Sequence, residues 1–210
     1  MTIKPPNNFH LGVIILGGGA SLRMGKPKLL LPWGDTSILG HLLCLYKNVN
    51  TSQVAVVCSH GDTKIISELN RLEWPEKSRI INPKVTPEMF SSVLCGFHWN
   101  GWQPDVSHLA VALGDQPLIR EKMIADLIAH AMQNPKNICQ PVYENRSRHP
   151  VIIPRHIAEK VTIESHSNLR EVLNDYKENI SALLCDDPGL VIDIDTPNDY
   201  EDALQRYFKE

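Results

Sequence analysis

Residues 12–33 read GVIILGGGASLRMGKPKLLLPW, a strand-like run that passes directly into a glycine loop. The first five residues are continuously apolar, which is typical of a β-strand covered on both faces. Three consecutive glycines follow, so no side chain shields the backbone N–H groups of the loop. Such groups can turn together towards phosphate oxygens, and Arg23 and Lys28 add positive charge nearby. The stretch therefore predicts a phosphate-binding loop at the end of a buried strand.

Two common phosphate loops do not fit these residues. The P-loop pattern GxxxxGK[ST] requires Ser or Thr after its lysine, whereas Pro27 stands at that position here. The pattern GxGxxG, begun at Gly17, requires glycine or alanine where this chain has Leu22. A tight glycine turn with Arg23 and Lys28 in solvent is the structural alternative that the residues alone leave open.

Strand-like and helix-like segments alternate along the rest of the chain. The alternation predicts an α/β fold of three layers, with a mostly parallel central sheet and helices on both faces, as one domain over residues 1–210. Four helices have cap candidates before them: Thr36 or Ser37, Asp62 or Thr63, Thr86 followed by Pro87, and Thr196. The predicted strands are 12–16, 53–58, 79–81, 108–113, 138–142, 151–153, 182–185 and 191–194, and the predicted helices are 38–49, 64–72, 88–99, 120–133, 169–175 and 197–208.

Composition narrows the function classes. Of the 210 residues, 42% are hydrophobic and 21% charged, which suits a globular core, and the net charge of −3 argues against a broad nucleic-acid surface. The five cysteines form no CxxC pair, so we expect a reducing, cytoplasmic location. No segment has the length and apolar character of a signal peptide or a membrane span, and we expect no membrane partner.

Carboxylates follow two of the apolar runs. Asp115 comes directly after the predicted strand 108–113, within GDQP, and Asp193 and Asp195 occur in DIDTP near the end of the chain. Ligands bind at the carboxyl ends of strands in open α/β sheets, and Mg²⁺ prefers one or two protein carboxylates plus phosphate oxygens and water. Asp193 and Asp195 would share one face of a strand, so either could supply the second ligand. Solvated turn residues are the alternative.

These segments resemble the MobA-like NTP transferases. The chain matches the loop pattern L-x-x-G-x-S-x-R-M-G-x-x-K, and LLLPW is similar to the molybdenum cofactor cytidylyltransferase (MocA-like) branch. The resemblance implies a Rossmann-like nucleotidyltransferase fold in which Asp115 and Asp195 hold Mg²⁺; Asp195 is preferred to Asp193 because D-T-P-x-D resembles related sugar cytidylyltransferases. The loop positions that match are Gly19, Ser21, Arg23, Met24, Gly25 and Lys28.

The same resemblance assigns roles to two further segments. NPKVTPEMFSSVLCG, residues 82–96, is similar to a nucleotide-binding segment, with Ser92 as the preferred contact and helix capping as its structural alternative. RHPVIIP, residues 148–154, is similar to a G-H-P-V segment, so His149 is expected near the acceptor, although Arg148 replaces the glycine. The expected nucleotide-binding residues are Leu16, Gly17, Gly18, Gly19, Ser21, Arg23, Lys28, Ser92 and Asp115, and of these Arg23, Lys28 and Asp115 are expected to be catalytic.

The resemblance implies transfer of a nucleoside monophosphate from an NTP to molybdopterin or molybdenum cofactor, with release of pyrophosphate. Gly18 favours GTP, whereas LLLPW and HPV favour CTP, and CTP is the preferred expectation. A molybdoenzyme or its maturation chaperone is the expected protein partner. The alternatives are nucleotidyl transfer to a sugar phosphate or another small phosphorylated acceptor, and a non-catalytic carrier or chaperone that binds molybdenum cofactor.

Overall fold

The computed structural model describes residues 9–18, 27–49 and 51–208. Within these ranges the chain forms a mostly parallel central sheet with helices on both faces, as the sequence predicts. The strands, in chain order, are β1 (Leu11–Leu16), β2 (Pro32–Trp33), β3 (Thr36–Ser37), β4 (Gln53–Ser59), β5 (Arg79–Asn82), β6 (His108–Leu113), β7 (Ile138–Tyr143), β8 (Arg146–Ser147), β9 (Val151–Pro154) and β10 (Ile180–Leu184).

The sheet is organised around β1. Its strand order is β10-β7-β9-β6-β1-β4-β5, with β8 paired to β7, while β2 and β3 form a separate two-stranded sheet. β1 runs parallel to both neighbours, β4 and β6, and β9 runs antiparallel to both of its neighbours, β6 and β7. The carboxyl ends of β1, β4 and β6 therefore lie together at one edge of the sheet.

The helices cover the sheet in two layers. α1 (Ile38–Asn48), α2 (Thr63–Arg71), α4 (Glu121–Gln133) and α7 (Pro197–Tyr207) share one apolar cluster with one face of the sheet. α3 (Met89–Phe97), α5 (Arg155–Ala158) and α6 (Leu169–Asp175) share a second cluster with the other face. All six residues of β1 are buried, because alternate side chains enter the two clusters. In the described part of the chain, no helix is long and apolar enough to cross a bilayer.

Most predicted helix starts are confirmed by their caps. The side chains of Ser37, Asp62 and Thr196 accept backbone N–H bonds from Gly40, Ile65 and Asp199. The prediction that Thr86 caps the third helix, with Pro87 in its first turn, is wrong: the helix begins at Met89, and Glu88 is its N-cap without a side-chain bond. Instead, the Asn82 side chain accepts the backbone N–H of Lys84 and turns the chain before the helix.

The strand predicted at 191–194 is also absent from the structure. Pro188–Val191 forms a 3₁₀ turn in which the Asp187 side chain accepts the N–H of Gly189. The chain then approaches the sheet through one backbone bond, from Ile194 N to Asp115 O at 2.9 Å, rather than through a ladder. The apolar residues of this segment resemble a buried strand in sequence. In the structure Leu190 and Ile194 are buried in the cluster that the first layer of helices shares with the sheet.

Candidate active site

The glycine segment begins where β1 ends, between the ends of β4 and β6. Leu16 is in register with Val57 and Leu113, and Gly17 N donates to Val57 O at 2.9 Å. Gly17 and Gly18 therefore lie at the carboxyl edge of the sheet, as predicted. Gly19, Ser21 and Arg23 lie outside the described residues, so their roles stay predictions.

The end of β6 approaches this segment closely. A Cβ atom at Gly114 would stand 2.6 Å from Leu16 O and 2.9 Å from Leu29 Cδ2, so only glycine fits without a shift of the backbone. Asp115 follows directly, and its side chain is 24% exposed. The glycine in GDQP thus brings the Asp115 carboxylate against the end of β1.

Lys28 joins the two acidic segments. Its Nζ atom lies 2.6 Å from Asp115 Oδ2 and 3.2 Å from Asp195 Oδ1. Partial burial lowers the pKa of the Lys28 amine, but the hydrogen bonds and charges of the two carboxylates outweigh burial and hold that pKa above its usual value. Carboxylates that lie 87 and 167 positions after Lys28 in sequence therefore meet at its ammonium group.

The structure separates Asp195 from Asp193. Asp193 Oδ1 accepts a 2.8 Å hydrogen bond from Gln116 Nε2, whereas Asp195 faces Lys28. The expectation that the two carboxylates share one strand face is wrong, because the segment is not a strand. Asp195 is held by the start of α7, where Asp199 Oδ2 accepts from the N–H groups of Asp195 and Thr196 at 3.2 and 2.7 Å.

Ser92 approaches the glycine segment from α3. A Cβ atom built on Gly18 would lie 3.7 Å from Ser92 Oγ and 2.9 Å from Ser59 Oγ. Asn82 Nδ2 donates to both Ser91 Oγ and Ser92 Oγ, at 2.8 and 3.0 Å, and Ser91 Oγ donates to Glu88 O. Ser92 Oγ thus accepts the Asn82 amide, and its contact with a nucleotide stays a prediction. Asn82 is the positioning residue that the sequence argument missed; its signal is the Asn-Pro pair directly after β5.

The glycine segment, Lys28 and Asp115 line one cavity of about 280 Å³ at the edge of the sheet, whereas Ser92 and Asp195 are not among its lining residues. Asp62, Ile65, Pro87 and Met89 also line the cavity but were not predicted. Asp62 caps α2, Ile65 lies within that helix, and Pro87 and Met89 stand just before and at the start of α3. Met89 is 61% exposed although it is a large apolar side chain, so this wall offers an apolar surface to a ligand. The predicted residues among the lining are Leu16, Gly17, Gly18, Lys28 and Asp115.

His149 lies just before β9, which pairs with β6 on the side opposite β1. Its Nδ1 atom is 3.3 Å from Val111 O, and the charges of Asp115 and Asp193 act on it. Burial nevertheless lowers the pKa of His149 below its usual value, so the ring is neutral at physiological pH. Among the described residues, the neighbouring Arg148 has a buried Nε–H without a hydrogen-bond acceptor.

The carboxylate pair has the chemistry of a magnesium site. Within residues 9–18, 27–49 and 51–208, no three His, Cys, Asp or Glu side chains cluster as metal ligands. Asp115 and Asp195, however, already direct one oxygen each at a single cation, the Lys28 amine. Mg²⁺ is commonly held by one or two carboxylates, with phosphate oxygens and water completing its shell. The two residues therefore fit a metal that arrives with phosphate.

Comparison with known proteins agrees with this geometry. Residues 13–180 match the family described as the MobA-like NTP transferase domain. The chain belongs to this family. The bifunctional protein GlmU of Ruthia magnifica is 23% identical over 172 residues, which cover 80% of this chain and 35% of GlmU. The chain thus spans about a third of the length of that relative.

Two solved structures of nucleotide-related proteins share the fold of this chain. A nucleotidyl transferase from Methanothermobacter superposes with a TM-score of 0.78 at 15% identity, covering 95% of this chain and 98% of the other. Molybdopterin-guanine dinucleotide biosynthesis protein A from Archaeoglobus fulgidus superposes with a TM-score of 0.70 at 16% identity, covering 95% of this chain and all of the other. The mostly parallel sheet with helices on both faces is therefore the architecture of these transferases.

Proposed function

We propose that this protein transfers a nucleoside monophosphate from an NTP to a phosphorylated acceptor. The observation that carries the proposal is the meeting of Lys28, Asp115 and Asp195 at the end of β1, beside a cavity lined by Gly17 and Gly18. This arrangement combines backbone N–H groups, a cation and two carboxylates at the edge where α/β sheets bind ligands. Membership of the MobA-like family supports the same reaction class.

The triphosphate binds over the glycine segment. The Gly17 N–H is bonded to Val57 O, so we expect the glycine loop beyond it to supply the backbone N–H groups that meet these oxygens. Lys28 and Arg23 supply positive charge, and Ser92 Oγ donates to the nucleotide. Asp115 and Asp195 would hold Mg²⁺, which would supply positive charge for the reacting phosphates. The apolar wall at Met89 packs against the base or ribose.

The reaction needs no protein nucleophile. A phosphate oxygen of the acceptor attacks the α-phosphorus, a new P–O bond forms, and the bond to the bridging oxygen breaks to release pyrophosphate. The residues accelerate the reaction by aligning the two substrates and by neutralising the charge that develops on the oxygens.

Molybdopterin, or its molybdenum-loaded form, is the proposed acceptor. The RHPV segment resembles the molybdenum cofactor cytidylyltransferase branch, and a neighbour in structure is named for molybdopterin-guanine dinucleotide biosynthesis. His149 stands beside Asp115, where the acceptor phosphate must approach the α-phosphorus, and its neutral ring donates or accepts a hydrogen bond there. The unpartnered Nε–H of Arg148 supplies a second donor on that side. A molybdoenzyme or its maturation chaperone is the proposed recipient of the product.

CTP is the proposed donor, and GTP is the competing one. Titration of the purified protein with CTP and with GTP, each with Mg²⁺, compares the two affinities in one calorimetric experiment. We expect tighter binding of CTP, and tighter binding of GTP would overturn the choice of base without affecting the reaction class.

The reaction itself is tested by measuring pyrophosphate release with each NTP, Mg²⁺ and molybdopterin. A sugar phosphate replaces molybdopterin in a parallel reaction, and a third reaction contains no acceptor. We expect release that depends on molybdopterin. Release with the sugar phosphate alone would move the activity to another acceptor, whereas tight binding of molybdopterin without release would indicate a carrier or chaperone.

A further inference from the structure

Lys28 occupies the position that the metal needs. Its ammonium lies within hydrogen-bond distance of both carboxylates, at 2.6 Å from Asp115 and 3.2 Å from Asp195. The proposed function gives the same lysine to the triphosphate. One ammonium group cannot neutralise the two carboxylates at the metal position and also bind the phosphates beside a metal held there.

The carboxylates need a cation before any ligand arrives. The Asp115 and Asp195 side chains are 24% and 36% exposed, and both point at the same place. Partly desolvated carboxylates that converge repel each other unless a positive charge lies between them. Lys28, whose own side chain is only 18% exposed, supplies that charge.

We infer that Lys28 is a placeholder cation, which neutralises Asp115 and Asp195 in the nucleotide-free protein and transfers to the triphosphate when the metal-bound nucleotide enters. The inference rests on the proposed function. Its consequence is an order of binding: a divalent cation alone must compete with a tethered ammonium, so it binds weakly until a nucleotide attracts Lys28 away.

The geometry allows this exchange without movement of the backbone. Lys28 begins a short 3₁₀ turn, Lys28–Leu30, and lines the same cavity as Gly17 and Gly18. Its ammonium is a point charge on a flexible four-carbon stem, so rotation about side-chain bonds moves it from the carboxylates towards that cavity. The carboxylates keep their positions, because the 2.9 Å bond from Ile194 N to Asp115 O and the cap of α7 hold the two segments.

Manganese binding in the absence of nucleotide tests the inference. Mn²⁺ is titrated into the wild-type protein and into Lys28→Met, with free Mn²⁺ followed by electron paramagnetic resonance. We expect Lys28→Met to bind Mn²⁺ roughly tenfold tighter or more, the size of one lost charge-assisted competitor. Combining Lys28→Met with Asp195→Asn should abolish the gain, because one of the two carboxylates is lost.

Lys122→Met is the matched control. Lys122 Nζ lies 2.6 Å from Asp126 Oδ2, the same separation as in the Lys28–Asp115 pair, but this pair is exposed on α4. Its removal should leave Mn²⁺ binding unchanged. If Lys28→Met does not fold, as judged by thermal unfolding, Lys28→Gln removes the same charge with a polar side chain and takes its place.

The outcomes separate the inference from the proposed function. Equal Mn²⁺ affinity in wild type and Lys28→Met, without nucleotide, would overturn the placeholder role. A second titration adds CTP or GTP to the wild-type protein, and we expect Mn²⁺ binding to tighten. Absence of any nucleotide binding there would overturn the proposed function, while the nucleotide-free comparison would still decide the role of Lys28.

Discussion

Asp193 and Asp195 stand two residues apart, yet they hold different partners. Gln116 donates to Asp193, whereas Lys28 reaches Asp195 and Asp115. The acidic segment could be found from the sequence, but the choice between its two carboxylates could not be made from strand periodicity, because the segment is irregular. The family pattern D-T-P-x-D selected Asp195, and in the structure Asp195 shares the Lys28 ammonium with Asp115, while its role as a metal ligand stays a prediction.

Replacing Asp195 and Asp193 in turn by asparagine distinguishes the roles of the two carboxylates. Asp195→Asn should lower kcat about a hundredfold, because a charge that stabilises the transition state is lost. Asp193→Asn keeps an acceptor for the Gln116 amide and should stay within about tenfold of wild type. Both kcat values are measured as pyrophosphate release, with thermal unfolding as the check on folding. A larger loss in Asp193→Asn than in Asp195→Asn would reverse the assignment.

Gly114 tests the close approach of β6 to β1. In Gly114→Ala the new methyl group meets Leu16 O at 2.6 Å, a backbone atom that cannot move aside, so we expect a loss of ~1–3 kcal/mol in the free energy of unfolding. Gly18→Ala is the control for stability, because its closest atom is Ser59 Oγ at 2.9 Å, which can rotate away. Denaturant unfolding of both variants is the measurement, and equal losses would show that the contact at Gly114 is not restrictive.

At the scale of elements, local signals predicted most helices within about two residues at each end, as cap chemistry allows. The capping residues Ser37, Asp62 and Thr196 fall where the sequence places them. The prediction that Thr86 caps α3 was wrong, because tertiary hydrogen bonds from Asn82 to Ser91 and Ser92 set the start of this helix. Such bonds join a strand end to a helix, and no local pattern encodes them.

The cap of α7 should serve both stability and activity. Thr196→Ala removes the acceptor for Asp199 N and should cost ~1 kcal/mol of unfolding free energy. Since the same cap holds Asp195, pyrophosphate release should fall as well. Asn168→Ala removes the equivalent cap of α6, where Asn168 accepts from Glu171 N, and should lower stability without lowering turnover. An equal loss of turnover in both variants would show that the cap of α7 does not affect activity through its contact with Asp195.

At the scale of the whole molecule, the alternation of segments predicted the layers and the meeting of β1 and β6 at one edge. The position of β9 was not predictable, because its antiparallel insertion between β6 and β7 depends on pairing between distant strands. That insertion brings His149, just before β9, next to Asp115. The resemblance of the HPV segment pointed to His149, but the approach of this side chain to Asp115 became visible only in three dimensions.

Buried histidines should make stability depend on pH. Burial lowers the pKa of His41, His108 and His149 below the usual value. Each therefore stabilises the folded state fully above its unfolded pKa, and this contribution is lost as the pH falls below about 6.5 towards the folded-state pKa. Denaturant unfolding at about pH 7.5 and about pH 5.5 should show lower stability at the acidic pH.

His108→Gln identifies one source of this dependence. Burial of the His108 ring, which stacks on Phe9, lowers its pKa, although its 2.9 Å hydrogen bond to Pro135 O acts in the opposite direction. Glutamine keeps a donor for Pro135 but does not titrate, and the difference in stability between the two pH values should shrink. An unchanged difference would place the pH dependence elsewhere.

The central claim is that Lys28, Asp115 and Asp195 surround one metal-bound triphosphate. The most direct test follows the label from α-phosphate-labelled NTP into molybdopterin, with Mg²⁺, for wild type and for Asp115→Asn. We predict label in the acceptor with wild type, and transfer more than about a hundredfold slower with a folded Asp115→Asn protein. Transfer at a near-normal rate by that variant would contradict the account.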